Sequence, residues 1–189
     1  MKKAVFLDRD GTINEDVNYL NHPDQIKLIF GSAEGIRLLN ENGFTVVVIT
    51  NQSGVARGII SEENLPLIKN RFSSLLEEKG AKIDGYYYCP HYPDGKVEKY
   101  SFKCDCRKPE PGMLKKAAED LDIELKGSYV VGDKACDIKL GKNVGAVSIM
   151  VKTGYGEFEA ENCEPYPDYT ADNLFDAAQW IIKNNLDQS

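Results

Sequence analysis

The sequence predicts an α/β fold, in which a parallel sheet is sandwiched by helices. Short runs of apolar and β-branched residues alternate along the chain with stretches that have the 3.6-residue spacing of amphipathic helices. In addition, several of the apolar runs end in clusters of polar residues. Strands of a parallel sheet carry their carboxyl ends at one edge, so these clusters are expected to meet there.

The first predicted strand is the apolar run at residues 4–7, which is followed directly by Asp8, Arg9 and Asp10. Four apolar residues in a row are typical of a strand buried on both faces. If strand pairing extends by one residue, Asp8 lies at the strand end and Asp10 just beyond it. Taken alone, two acids before a glycine are equally compatible with a solvated turn.

The remaining elements follow from apolar spacing and from glycine and proline positions. One helix begins at Ser32 and stops at Gly43, and another begins near Ser61, where Pro66 either kinks it or delays its start. Polar residues 15–31 read as a long functional loop. Further strands are predicted at 45–50, 83–88, 128–131 and 146–150, and further helices through 113–121, 137–140 and 174–182.

Length and composition indicate one soluble domain over residues 1–189. Apolar residues make up 42% of the chain and charged residues 28%, and no apolar run is long enough for a membrane span or a signal peptide. We therefore expect a cytoplasmic protein without a membrane partner, and a monomer. The net charge of −7 argues against nucleic-acid binding.

Three strand ends carry reactive side chains: Asp8 with Asp10, Thr50 with Asn51, and Asp133 with Asp137. Lys108 precedes a predicted helix and is expected to join them. Carboxylate oxygens of this kind suit Mg²⁺, which binds one or two carboxylates together with substrate phosphate. The sequence thus predicts a site for a phosphoryl group, with Mg²⁺ and Lys108 offsetting its charge.

This set of motifs resembles the haloacid dehalogenase superfamily of phosphotransferases, whose fold is a Rossmann-like sheet. The resemblance implies that Asp8 is the nucleophile, that Asp10 is the acid and base, and that Thr50 and Lys108 stabilise the phosphoryl group. It also implies that Mg²⁺ is held by Asp8, Asp133 and the carbonyl of Asp10. Asp137 is either a further acidic support or a favourable charge at a helix N-terminus.

The irregular insertion at 89–106 contains Cys89, His91, Cys104 and Cys106, and these four residues have the composition of a closed structural Zn²⁺ site. Free thiols or a strained disulfide are the alternative. Cys136 and Cys163 lack partners at ligand spacing. Arg9 and Lys134, which flank the acids, either contact phosphate or are solvated charges.

With its zinc loop and the stretches at 8–14, 50–54 and 106–112, the chain resembles the D-glycero-D-manno-heptose 1,7-bisphosphate 7-phosphatase family, which lacks a large cap domain. The resemblance implies a sugar-phosphate substrate and a role in ADP- or GDP-heptose formation and lipopolysaccharide biosynthesis. It implies that Arg107 recognises substrate and Lys108 stabilises the phosphoryl group. The other substrate-binding residues that it implies are Asp16, Val17, Asn18, Tyr19, Thr50, Asn51, Gln52, Ser53 and Lys134.

Three alternatives remain at this stage. Histidinol-phosphate phosphatases of the same superfamily share the zinc loop. A phospho-accepting receiver domain also uses Asp, Thr, Lys and Mg²⁺ on a parallel sheet, although the second acid and the zinc loop argue against it. A zinc-dependent interaction module would leave the acids at the strand ends unexplained.

Overall fold

A computed structural model describes residues 2–186 of the chain. Its six strands form one parallel sheet in the order β3-β2-β1-β4-β5-β6. Met1 and residues 187–189 of the predicted domain lie outside the described residues. The strands are β1 (Ala4–Leu7), β2 (Thr45–Asn51), β3 (Gly85–Cys89), β4 (Tyr129–Gly132), β5 (Val147–Val151) and β6 (Tyr169–Ala171).

Helices occupy most of the chain between the strands. They are α1 (Ser32–Glu41), α2 (Asn64–Glu77), α3 (Gly112–Leu121), α4 (Ala135–Val144), α5 (Gly156–Glu159) and α6 (Leu174–Leu186). Short 3₁₀ turns lie at Pro23–Gln25, Glu98–Tyr100 and Ala160–Asn162. Residues 2–186 contain no large cap domain. The predicted α/β class and the parallel sheet are confirmed.

Strand β1 lies at the centre of the sheet, between β2 and β4, and is fully buried. Its residues alternate between two apolar layers because successive strand side chains point to opposite faces. Val5 and Leu7 join the layer that contains α1, α2 and α6, whereas Ala4 and Phe6 join the layer with α3. Both faces of the central strand are thus covered, as its unbroken apolar run predicted.

The register of the sheet places the end of β1 between the ends of its neighbours. Leu7 is opposite Val48 of β2 and Val131 of β4. Pairing continues for one more residue, because the N–H of Asp8 donates to the carbonyl of Val131 at 2.9 Å. The side chain of Asp8 is therefore fixed at the carboxyl edge by backbone hydrogen bonding.

Some boundaries differ from the predictions. Helix α2 begins at Asn64, after Ser61, and Pro66 falls in its first turn, where a missing N–H is tolerated. Strand β3 begins at Gly85, two residues after the predicted start. Strand β6 and helix α5 were not predicted, because three or four residues are too short to display a period. None of the helices within residues 2–186 combines the length and the apolar character that a membrane span needs.

Candidate active site

Three buried carboxylates meet at the carboxyl edge of the sheet. Oxygen atoms of Asp8, Asp133 and Asp137 all lie within 4.8 Å of one another. Asp8 follows β1, Asp133 follows β4, and Asp137 belongs to the first turn of α4. Carboxylates that close repel one another in a buried site, so the cluster needs cations.

Lys108 supplies one of these cations. Its Nζ lies 2.8 Å from Oδ1 of Asp8 and 2.7 Å from Oδ1 of Asp137, and it donates to the carbonyl of Ile49 at 3.2 Å. Burial alone would lower the pKa of Lys108, but the charges of Asp137 and Asp8 outweigh burial and raise it. The ammonium group is consequently charged and held in one place.

Asp137 has both of the roles that the sequence left open. Its Oδ2 accepts the backbone N–H of Lys134 at 3.3 Å, which caps α4, while its Oδ1 is paired with Lys108. Burial raises the pKa of Asp137 to about 6, against the opposing effect of Lys108. Asp137 thus pairs with the ammonium group of Lys108 and helps to hold it beside Asp8.

Asp133 fits a divalent cation. Its Oδ2 accepts the N–H of Tyr155 at 2.9 Å, but its Oδ1 is buried without a hydrogen-bond partner in the described part of the chain. Burial and then the charge of Asp8 raise the pKa of Asp133 to about 8. An unpaired buried oxygen beside excess negative charge is the environment in which Mg²⁺ would bind. The carbonyl of Asp10 as a further ligand stays a prediction.

The carboxylate of Asp10 is surrounded by donors. Arg9 donates from Nε to Oδ1 at 3.0 Å and from Nη2 to Oδ2 at 2.6 Å. Asn14 donates to Oδ1 at 2.9 Å, and Gln52 donates to Oδ2 at 3.1 Å. Burial alone would raise the pKa of Asp10, but the charge and hydrogen bonds of Arg9 outweigh burial and lower it. Arg9 itself is completely buried, so it is neither a solvated charge nor a residue of the cavity wall.

A cavity of about 320 Å³ opens over these acids. It brings together most of the residues to which the sequence assigned catalysis or substrate contact, whereas Val17 and Gln52 do not line it. Asp16 and Lys134 form an ion pair of 3.0 Å across one side. The residues that line the cavity are Asp8, Asp10, Asp16, Asn18, Tyr19, Thr50, Asn51, Ser53, Arg107, Lys108, Lys134, Cys136 and Tyr155.

The loop after β5 also contacts the site, although it was not predicted to do so. Thr153 Oγ1 donates to the carbonyl of Gly11 at 2.7 Å, and the ring of Tyr155 lies 4.7 Å from Nζ of Lys134. A Cβ on Gly154 would lie 2.3 Å from Oδ2 of Asp133, so only glycine fits there. The signal was available, because this loop also follows a strand of the parallel sheet.

The four predicted zinc ligands form a second cluster. The Sγ atoms of Cys89, Cys104 and Cys106 are 3.0–3.5 Å apart, and Nδ1 of His91 lies 3.3 Å from Sγ of Cys106. Burial raises the pKa of Cys89 to about 11 and also raises that of Cys106, so neither thiol ionises without a nearby cation. The donor set and its compact arrangement fit Zn²⁺.

A haloacid dehalogenase-like (HAD-like) hydrolase is defined by the parallel sheet, by Asp8 and Asp10 after its central strand, and by Lys108. The sequence profile of the HAD-hydrolase-like family matches residues 105–177. This stretch includes Lys108, Asp133 and Asp137.

Relatives define the family more narrowly. The chain is 43% identical to D-glycero-beta-D-manno-heptose-1,7-bisphosphate 7-phosphatase of Escherichia coli K12, over 95% of this chain and 94% of that protein. The Pasteurella multocida protein of the same name is 46% identical, over 82% of this chain and 84% of that protein. The crystal structure of D,D-heptose 1,7-bisphosphate phosphatase from B. bronchiseptica with magnesium and phosphate superimposes with a TM-score of 0.85. It is 33% identical and covers 96% of this chain and 99% of that chain.

The chain belongs to the D-glycero-beta-D-manno-heptose-1,7-bisphosphate 7-phosphatase family. It is therefore a Mg²⁺-dependent phosphatase, as the motifs at the strand ends predicted. The relatives carry names for the heptose substrate, so histidinol phosphate is not favoured. The same finding does not favour a receiver domain or a zinc-dependent interaction module.

The close approach of Gly154 to Asp133 generates a prediction about metal binding. We expect Gly154→Ala to weaken Mg²⁺ binding about tenfold or more, because the added methyl group would push against Asp133, and disturbing the groups that orient a metal ligand typically costs that much in affinity. Isothermal titration with Mg²⁺ measures the change. Gly43→Ala is the matched control, since Gly43 also has a positive φ (79°) but nothing within 4 Å of a Cβ. Equal losses in the two variants would show that backbone strain alone is responsible.

Proposed function

We propose that this chain removes the 7-phosphate of D-glycero-β-D-manno-heptose 1,7-bisphosphate through a phosphoaspartate at Asp8. The observation that carries the proposal is the cavity in which Asp8 and Asp10 meet three cationic side chains, those of Arg107, Lys108 and Lys134. Negative charge must be held there while a phosphoryl group is transferred. The relatives described above are named for this substrate and this phosphate.

In the first step, Asp8 attacks phosphorus and the bond to the sugar O7 breaks. Oδ1 of Asp8 is held by Lys108 at 2.8 Å and by the N–H of Arg9 at 2.8 Å, whereas Oδ2 makes no such contact within residues 2–186. Oδ2 is therefore the oxygen that is free to attack. Gln52 donates to Thr50 Oγ1 at 2.8 Å, which leaves the hydroxyl hydrogen of Thr50 for a phosphoryl oxygen.

Asp10 gives its proton to the leaving sugar oxygen in this step and takes a proton from water in the next. Water attacks phosphorus of the acyl phosphate, releases inorganic phosphate and restores the carboxylate of Asp8. The lowered pKa of Asp10 in the free protein keeps the carboxylate ionised, which is the form that the second role needs. An incoming phosphate dianion raises that pKa, because a like charge nearby favours the neutral acid.

Mg²⁺, when bound, neutralises charge on the transferred phosphoryl group. Asp8, Asp133 and the carbonyl of Asp10 would hold it. Lys108 would offset further charge on the phosphoryl group, and its contacts with Asp8, Asp137 and the carbonyl of Ile49 hold its ammonium group in place beforehand.

Arg107 is assigned to the second phosphate of the substrate, the one remote from the bond that breaks. Its guanidinium donates to the carbonyl of His91 at 3.4 Å and lies 5.1 Å from the ring centre of Tyr92, without a carboxylate partner among the described residues. An unpaired guanidinium beside the cavity suits a second phosphate. The sugar is assigned to Asp16, Val17, Asn18, Tyr19, Asn51, Gln52, Ser53 and Lys134.

The cluster of Cys89, His91, Cys104 and Cys106 is assigned to structural Zn²⁺. Cys106 directly precedes Arg107, so the metal would fix the chain where the substrate-recognising residue begins. We further assign residues 1–189 to one monomeric cytoplasmic domain that acts in heptose precursor synthesis.

Replacing the nucleophile tests the proposed reaction. Asp8→Asn should lower turnover of the heptose bisphosphate by about 10⁴-fold or more, because an amide forms no acyl phosphate. ³¹P NMR measures the reaction and should show loss of the 7-phosphate first in the unaltered enzyme. Asp172→Asn, an exposed carboxylate, is the control. Near-normal turnover by Asp8→Asn protein, with deamidation excluded by mass, would refute the mechanism.

Replacing Arg107 tests the assignment of the distal phosphate. Arg107→Ala should lower kcat/KM for the heptose bisphosphate about tenfold or more while sparing p-nitrophenyl phosphate, since remote binding energy is available only from the larger substrate. Steady-state kinetics on both substrates measure the ratio. Arg37→Ala, half-exposed on α1, should change neither. Equal losses on both substrates would contradict this role.

Removing one zinc ligand tests the metal of the insertion. Elemental analysis should find about one zinc per chain, as a closed four-ligand site binds. Cys106→Ser should lose the zinc and lower the melting temperature. Cys163→Ser replaces a buried thiol outside the cluster and should retain the metal. A Cys106→Ser protein that keeps full zinc would show that these residues are not the ligands.

A further inference from the structure

Arg9 is the largest completely buried side chain among residues 2–186, and nothing in the reaction described so far uses it. Burying a guanidinium is unfavourable unless it is paired and hydrogen-bonded. Its position between two catalytic acids in the sequence would allow a direct contact with phosphate, but the side chain does not line the cavity. Arg9 must therefore act indirectly, through its effect on the side chains that it contacts.

The guanidinium of Arg9 contacts two side chains, those of Asp10 and Tyr86. Nε and Nη2 donate to the two oxygens of Asp10 as a bidentate pair, at 3.0 and 2.6 Å, and Nη1 donates to the hydroxyl of Tyr86 at 3.0 Å. Tyr86 belongs to β3, and its ring packs edge-on against Phe72 of α2 with centroids 6.1 Å apart. The guanidinium is thus anchored to rigid elements at one end and holds a cavity residue at the other.

We propose that Arg9, anchored by Tyr86, is a positioning residue that aims the carboxyl group of Asp10 at the leaving-group oxygen. The inference rests on the acid and base role proposed above for Asp10. A bidentate pair fixes the plane of a carboxyl group as well as its location. General acid catalysis needs that geometry, because the proton must lie within hydrogen-bond reach of the oxygen that departs.

The other donors to Asp10 are less suited to this task. Asn14 lies in the turn after Asp10, and Gln52 is neutral, is also bonded to Thr50 and has the longest contact, 3.1 Å. Each of them reaches one oxygen only. Arg9 alone among the described residues contacts both oxygens of Asp10 and is itself tied to the sheet.

The dependence of rate on the leaving group separates positioning from a purely structural role. Alkyl phosphates need a proton on the departing oxygen, whereas p-nitrophenolate leaves readily without one. Loss of alignment at Asp10 should therefore slow an alkyl phosphate far more than an aryl phosphate. Partial unfolding would slow both equally.

The experiment compares kcat/KM on glycerol 3-phosphate and p-nitrophenyl phosphate for the Mg²⁺-loaded enzyme and its variants. We use kcat/KM as the rate because it covers only the steps up to formation of the phosphoenzyme, in which the leaving group departs, and not the later attack of water that both substrates share. Arg9→Lys keeps the positive charge but loses the bidentate contact with Asp10. It should lower the rate on glycerol 3-phosphate about tenfold or more relative to the rate on p-nitrophenyl phosphate, which is part of the about 10²–10⁴-fold that a general acid contributes. Tyr86→Phe removes only the anchoring hydroxyl and should change the ratio in the same direction. It also keeps the proposal testable if Arg9→Lys fails to fold. Tyr87→Phe, which loses a hydroxyl bonded to Asp120, should leave the ratio unchanged.

Asp10→Asn serves as the reference for the proposed acid. If it shows the leaving-group dependence but Arg9→Lys and Tyr86→Phe lower both rates equally, the positioning role is wrong while the acid role stands. If Asp10→Asn itself lowers both rates equally, Asp10 is not the acid, and the role of Arg9 falls with it.

Discussion

The structure of the site depends on the contact of Lys108 with two buried carboxylates. Asp8 and Asp137 lie on either side of its ammonium group, at 2.8 and 2.7 Å. Removing one partner of a buried pair typically costs about 3–5 kcal/mol, because the remaining charge stays uncompensated. The contact therefore ties the end of β1, the segment that precedes α3 and the first turn of α4 into one arrangement.

The site has more carboxylate than ammonium groups, and this excess favours binding of a cation. The cation explains how a protein of net charge −7 is able to act on an anion. The three carboxylates of Asp8, Asp133 and Asp137 outnumber the two ammonium groups of Lys108 and Lys134. Oδ1 of Asp133 has no hydrogen-bond partner within residues 2–186. A divalent cation would neutralise the excess carboxylate charge and so allow a negatively charged phosphoryl group to bind. The site is consistent with binding metal and phosphate together.

Much of this was predictable from the sequence because parallel strands share one carboxyl edge. The acids after β1 and β4 and the threonine of β2 lie far apart along the chain, yet strand topology alone brings them together. The cluster of Cys89, His91, Cys104 and Cys106 was predictable for a different reason, since three thiols and an imidazole in one short insertion are typical of a metal site.

The orientation of Arg9 was not predictable. A cation between two acids faces either the phosphate or the protein interior, and only the location of Tyr86, 77 residues away, decides between them. The position of the loop at 153–155 after a strand was a signal for the site, but its contact with Asp133 was not, because a backbone N–H makes it and any residue type supplies one. Such contacts depend on tertiary geometry that local patterns do not encode.

We propose that the metal and the phosphoryl group together balance the charges of Asp8, Asp133 and Lys108. Calorimetric titration with inorganic phosphate, with and without Mg²⁺, tests it most directly. We expect Mg²⁺ to strengthen phosphate binding and, by thermodynamic reciprocity, phosphate to strengthen Mg²⁺ binding by the same factor. Phosphate that binds equally well to the metal-free and the Mg²⁺-loaded protein would contradict it.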